Sequence, residues 1–360
     1  MSIAITNTTG AAAQPKAGKF RELDAPFPEG KRAGQRQFFV TQRAGSLRAF
    51  EPLVEGRNGK GLAERTDDNL KKASKLMGDG NFEVAVERLK AAFESSLEEA
   101  AGKPREEADA SYQKSKHIGN KLLSACAELA GRKRWKHEDM SGVLKLAEEA
   151  FETMREKGIA NLHNCNAMMH FYSRAGMPDM AREIFNEIEA TMHIDVVSHT
   201  TMVHAYYRAG RTRDALAFIR RSEEGIRKSE EISLLEIEVL RKLKLYGKAI
   251  RKINAFVKRV PVSEERRDLA RAIKPYCLKE MGKVGKAEAN FRQLVDELPF
   301  DGDAWLRAAC GLVFCNGVSA EEAPHMRREI KEAVQYRNGA IRSHAAQAVR
   351  RLEWLMAEAA

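Results

Sequence analysis

Arg174, Arg208 and Lys242 stand 34 residues apart, and the first two each lie two positions ahead of a glycine, Gly176 and Gly210. Cations that recur at one interval line one face of a periodic structure, where each can meet a successive phosphate of a polyanion. The stretch from Arg241 to Arg259 adds eight basic side chains and no acidic one, extending a positive stripe. The competing reading is a solvated helix face, because charged residues make up 31% of the chain. The regular interval favours the phosphate reading. Lys and Arg total 61 against 51 Asp and Glu, and the resulting charge of +10 makes a polyanion a candidate partner.

Other side chains capable of chemistry do not assemble into a known pattern. No G-x-x-x-x-G-K-[ST] phosphate loop, H-E-x-x-H helix or nucleophile elbow is present. The nine histidines are spread along the chain without Cys or Asp at ligand spacing. The five cysteines, Cys126, Cys165, Cys277, Cys310 and Cys315, are an odd, scattered set. That usage implies free, mostly buried thiols in a reducing compartment. Cys310 and Cys315 are five apart and do not form a metal-ligand face. Neither catalysis nor a cofactor or metal is expected. No apolar run reaches the about 18 residues of a membrane span.

The elements that must position the cations are helices. From residue 65 onward apolar residues recur at three- and four-residue spacing, as in Val143, Leu144, Leu146, Ala147, Ala150, Phe151 and Met154. Turn signals interrupt the pattern at Gly78-Asp79-Gly80-Asn81, Ala175-Gly176-Met177-Pro178, Ala209-Gly210-Arg211 and Tyr246-Gly247. Ala147, Ala181, Ala215 and Ala249 fall 34 residues apart, and Phe151, Phe185, Ile219 and Ile253 follow them by four. Tyr172 and Tyr206 precede their turn glycines by four. A small residue lets two helices approach, and the large one a turn later fills the gap against the next pair. The ladder predicts an all-α solenoid of about seven helical hairpins.

The segment from Asn166 to Phe185 (NAMMHFYSRAGMPDMAREIF) resembles a pentatricopeptide repeat, as does Val196 to Leu216 (VVSHTTMVHAYYRAGRTRDAL). The two copies span roughly 162–195 and 196–229. A third, at about 116–161, keeps Ala147, Phe151, Met154 and Gly158, with its turn swollen by an insert from Arg132 to Ser141. A fourth, at about 230–264, keeps Ala249 but lacks the Ala-Gly turn and carries Glu236 where Met168 and Met202 sit. Beyond it the pattern drifts towards the related tetratricopeptide type, with Gly282, Ala287, Phe291 and Pro299 at that family's spacings and Trp305 at the next tryptophan position. A helix over 264–281 should kink or break at Pro275. A last helix, about 338–359, should cap the array with Ala345, Ala346, Val349, Leu352, Leu355 and Met356.

The resemblance implies a right-handed superhelix that binds single-stranded RNA, one base per repeat. It implies no appended nuclease or deaminase here, since no H-x-E with a following C-x-x-C is present. Two residues per unit read a base: the fifth of the first helix and the last of the repeat. These are Asn166 with Asp195, Asn120 with Asn161, and Thr200 with Ser229. By the resemblance, Asn–Asp favours uracil and Asn–Asn a pyrimidine, while Thr–Ser has no clear reading. An amide can donate to and accept from a base edge, and a carboxylate can accept or orient the amide. The alternative for Asn166 is a helix-start residue that satisfies backbone donors. Three residues before each fifth position stand His117, His163 and Val197, which in the family sandwich the base.

The domain reading is a basic, disordered arm over 1–64, a divergent hairpin over 65–115, pentatricopeptide-like units over 116–264, and tetratricopeptide-like units with a cap over 265–360. Residues 16–60 hold ten basic and five acidic side chains, a source of weak attraction to phosphate. Residues 1–15 carry no charge, unlike an Arg-rich presequence, although the resemblance implies a mitochondrion or plastid in a eukaryote. An uncharged Ser/Thr/Asn/Gln start also suits a secreted bacterial effector. The partner expected is single-stranded RNA, with a protein partner or dimer extending the short array. The rival is a tetratricopeptide-like adaptor that holds a protein segment, which the degenerate units and Trp305 would suit.

Overall fold

The computed structural model describes residues 61–103, 105–259, 261–300, 302–335 and 340–359, all within the unit Arg57–Ala360. The expected arm up to residue 60 and the first two residues of the expected last helix lie outside the described residues. In chain order the helices pair as α1 (Leu62–Gly78) with α2 (Phe82–Ala101), α3 (Arg105–Lys136) with α4 (Ser141–Glu156), α5 (Leu162–Ala175) with α6 (Pro178–Thr191), and α7 (Val196–Arg208) with α8 (Thr212–Arg221). After a single turn, α9 (Glu224–Arg227), come α10 (Glu230–Lys242) with α11 (Tyr246–Lys258), α12 (Glu264–Glu280) with α13 (Val284–Glu297), and α14 (Asp303–Phe314) with α15 (Ala323–Val334). The array closes on α16 (Ala340–Ala359). Among the described residues there is no strand, and the fold is the expected all-α array of seven hairpins.

The hairpin turns share one geometry. A residue one or two positions past each first helix adopts a positive φ, which lets two backbone N–H groups turn back onto the last carbonyls. At Gly176 (φ 82°) the Gly176 and Met177 amides donate to Ser173 and Tyr172, and Gly210 (φ 77°) and Arg211 repeat this on Tyr207 and Tyr206. The fourth unit keeps the turn without glycine: Lys244 is held at φ 60°, and Lys244 and Leu245 donate to Arg241 and Leu240.

Ala147, Ala181, Ala215 and Ala249 are fully buried, and Phe151, Phe185, Ile219 and Ile253 are at most 5% exposed. Ala287 and Phe291, both fully buried, continue this pair. First helices stack on one another in the order α3, α5, α7, α10, α12, α14, α16, and second helices pack between the first helix before and the first helix after. Equivalent positions on the first helices therefore form columns along one face. One apolar core runs from Ala73 to Cys277 and a second from Ala272 to Leu352, both drawing on α12.

Three local expectations are corrected. The insert after Arg132 is not simply a swollen turn: α3 runs unbroken through residue 116 to Lys136, because Arg132–Lys136 continues as helix. Of the kink or break expected at Pro275, the break is absent: α12 continues through the proline, which is buried. Ala346 is exposed and Ala348 takes its place in the buried stripe of α16 with Ala345, Val349 and Leu352. No described helix is long and apolar enough to cross a membrane.

Candidate nucleic-acid interface

The three residues that close a repeat also open the next first helix. Asn161 caps α5 in a reciprocal box, its Oδ1 accepting from the Asn164 amide at 3.1 Å while Asn164 Oδ1 accepts from the Asn161 amide at 3.2 Å. Asp195 caps α7, accepting from the Ser198 amide and hydroxyl, both at 2.8 Å. Ser229 caps α10, accepting from the Ile232 amide at 3.3 Å. Each satisfies a backbone donor that the first turn leaves open. The capping role expected as the alternative for Asn166 thus falls to its partner column.

Asn166, five residues into the unit, is 7% exposed, with its side chain close enough to the Asp195 carboxylate to lower that group's pKa. Partial burial works to raise the Asp195 pKa, but hydrogen bonds from Ser198 and Asn166 outweigh it and hold the carboxyl below the usual range. The Asn166 Oδ1 is buried without a partner. The Asn120 Oδ1 in the preceding unit is likewise buried without a partner. Thr200 donates to the Val196 carbonyl at 2.5 Å, and the next position in the column is the apolar Leu234. Asn166 stands beside Asp195, whereas Thr200 and Ser229 are each engaged with their own helix. His117 and His163 are exposed, and Val197 is 57% exposed.

The cation column follows the first helices. Arg174 on α5 pairs with Glu128 of α3 at 2.7 Å and reaches the Ala127 carbonyl at 3.5 Å. Arg208 on α7 is exposed as a residue and donates to Ser173 Oγ at 3.3 Å, and Lys242 on α10 is exposed. Partial burial of its guanidinium, then the charges of Arg174 and Arg134, lowers the Arg208 pKa, with Glu128 acting the other way. Arg174, Arg208 and Arg134 thus bring like charge together at the ends of α5 and α7.

A second polar column escaped the sequence reading, although the same interval of 34 marks it. His170 and His204 precede Arg174 and Arg208 by one turn and are partly buried. Burial, then the charges of Arg208 and Arg174, lowers the His170 pKa, with Glu128 acting the other way. Burial, then Arg208 and His170, brings His204 down to about 4. Both imidazoles are neutral near pH 7 and can donate or accept a hydrogen bond. Further on, α14 reaches back across α12: Arg307 meets Glu238 of α10 at 3.1 Å, and Glu238 also holds Arg241 at 2.9 Å.

The other chemistry-bearing groups are structural. All five cysteines are buried, and burial raises the Cys126 and Cys310 thiols to about 12 and Cys165 and Cys277 to about 11. No described group of three His, Cys, Asp or Glu is placed to hold a metal. Trp305 is 3% exposed, bonded through Nε1 to the Val295 carbonyl at 3.2 Å and set edge-on to Phe300.

The pentatricopeptide repeat family profile matches residues 164–190 and 197–224, which are the α5–α6 and α7–α8 hairpins. The chain carries pentatricopeptide repeats at these two positions, within a longer array of similar hairpins. No curated protein matches the sequence. Among solved structures, a tetratricopeptide repeat protein from Parabacteroides merdae ATCC 43184 is 14% identical, over 80% of this chain and 99% of that one, with a TM-score of 0.48. The tetratricopeptide domain of P58(IPK) is also 14% identical, over 82% of this chain and 99% of that one, with a TM-score of 0.28.

Proposed function

We propose that this chain is a non-catalytic scaffold that binds single-stranded RNA along its first helices and serves RNA processing, stability or translation. The observation that carries the reading is the pair of buried amide oxygens, Asn120 Oδ1 and Asn166 Oδ1, left without a protein partner in one column of the repeat. A buried acceptor without a donor is costly, and native proteins keep such groups where a ligand supplies the donor. The imide N–H of uracil is a donor of that kind. Asp195, held ionised beside Asn166, orients the amide so that its oxygen is the atom offered. Asn120 with Asn161 is the preceding reader, and Thr200 with Ser229 the following one with little selectivity. His117, His163 and Val197 flank the bases, and Arg174, Arg208 and Lys242 hold the phosphates.

Two complete units are few for a unique transcript, so a protein partner or a second copy extends the site. The adaptor reading keeps one feature of its own, an open groove between α11 and α13 over α12 that presents Lys258, Arg271, Lys274 and Asn290. The test is titration of the full chain with oligouridylate across a salt series. Salt-sensitive binding supports the RNA scaffold. Absence of binding, together with RNase-insensitive capture of an acidic peptide, would replace it with the adaptor.

A further inference from the structure

The extra helical turns that end α3 carry a side chain that the repeat pattern does not account for. Trp135 is 82% exposed. It stands four residues beyond Gly131 and seven beyond Glu128, so all three share one face of α3. That face meets the cation column: Glu128 pairs with Arg174 at 2.7 Å, and Gly131 lies so close to Arg174 that an added Cβ would stand 2.6 Å from its Nε. Arg134, one residue before Trp135, crosses Gly176 and donates to the Arg208 carbonyl at 3.2 Å.

The end of α3 is held from both sides. On its other face Arg132 lies over the Phe82 ring at 4.2 Å and donates to the Gly80 carbonyl at 2.7 Å, and Lys133 meets Glu83 at 3.4 Å. His137, at φ 57°, closes the helix with amides 137 and 138 turned onto Arg134 and Lys133. The indole therefore projects from a fixed backbone. Acidic groups are close by, but Glu138 is engaged with Lys133 and Lys136, and Asp139 with Ser141. Neither Arg134 nor Arg208 has a carboxylate partner among the described residues. A planar, solvated ring near guanidinium groups that hold no carboxylate in ion-pair contact is what a single-stranded nucleic acid uses, one face for a base and the cations for its phosphates.

We infer that Trp135 is a nucleobase-stacking post at the rim of the array, taking one nucleotide of a single-stranded RNA outside the one-base-per-repeat register while Arg134 and Arg208 hold its phosphates. This rests on the RNA-scaffold reading and adds a subsite to it. The neutral face of the indole accepts any base, so the subsite adds affinity rather than selectivity. A protein segment docking on the indole is the competing occupant, and the cation column beside it favours RNA.

The experiment uses the full chain, its Trp135→Ala and Trp135→Phe variants, and a short oligouridylate. Because the ring is solvated, both variants should keep the wild-type helical signal and melting. Trp135→Ala should weaken binding about five- to a hundredfold, the range seen on removing one base–aromatic stack, with an unchanged salt slope. Trp135→Phe should retain most of the affinity. The emission lost between wild type and Trp135→Phe isolates the Trp135 signal, and RNA should quench it. Full affinity in Trp135→Ala with no quenching would overturn the post, assign the indole to a protein partner, and leave the RNA scaffold standing. If the wild type fails to bind RNA, the scaffold reading falls and the post with it.

Discussion

Asn166 is the residue at which the two roles open to a helix-start asparagine separate. It does not cap α5; Asn161 does, and Asn166 sits a turn further in, nearly buried and beside Asp195. Replacing Asn166 by Thr shortens the side chain and removes the amide that spans the carboxylate and the base. The expected outcome is a switch from uridine towards guanosine at the one facing nucleotide, of about 1–3 kcal/mol. Binding to oligonucleotides randomised at one position measures it, and a wild type without uridine preference anywhere would dismiss the pair as readers. The cation column makes a different prediction. Arg174→Ala, Arg208→Ala and Lys242→Ala should each weaken binding to unrelated single strands, and each should flatten the slope of log K on log salt by roughly 0.7. Arg174 shares its charge with Glu128, so its effect should be the smallest of the three. A triple variant with an unchanged slope would remove the column from the interface.

The turn between α10 and α11 departs from its pattern in sequence while keeping it in geometry. Its sequence has lost the Ala-Gly signal, yet the same pair of backbone hydrogen bonds closes it, with Lys244 forced to φ 60°. A side chain with a Cβ is disfavoured there by about 1–2 kcal/mol. Lys244→Gly should therefore stabilise the chain, by about 1 kcal/mol once the added freedom of the unfolded glycine is counted. Chemical denaturation should show a higher midpoint with an unchanged m value. A lower midpoint would mean that the lysine contributes more through contacts than its backbone costs. The turn shows how far a repeat tolerates sequence drift: stacking of α10 on α7 and α12 holds the geometry once the preferred residue has gone.

At the scale of the molecule, the partly buried His204 couples stability to pH. Its pKa is about 4 in the fold against 6.5 for an ordinary imidazole. Between those values the unfolded chain binds the proton and the native chain does not. The contribution is therefore complete above pH 6.5 and is lost as pH falls towards about 4, by on the order of 3 kcal/mol at most. His170 shifts in the same direction. Denaturation midpoints of wild type and His204→Gln, followed down through that window, should converge as pH falls, because the glutamine does not titrate. Parallel curves would place the acid sensitivity elsewhere.

The interval of 34, the buried Ala and Phe ladder and the glycine turns were legible in the sequence, because helix propensity, apolar periodicity and turn chemistry act over a few residues and repeat with the unit. They determined seven hairpins, the order of first and second helices, and the columns in which Asn166, Thr200, Arg174 and Arg208 stand. They did not determine what stands beside a column from a neighbouring unit. That Arg134 crosses Gly176 to Arg208, that Asn166 reaches Asp195, and that Arg307 of α14 meets Glu238 of α10 depend on the rotation and offset of one hairpin on the next. Many large side chains packing together set those quantities, and no single spacing along the chain encodes them. The continuation of α3 to Lys136 likewise looked like a swollen turn, since its charged, Trp-bearing sequence has no apolar stripe. Contacts with the α1–α2 turn on one side and the ends of α5 and α7 on the other hold it as a helix, and so decided where Trp135 stands.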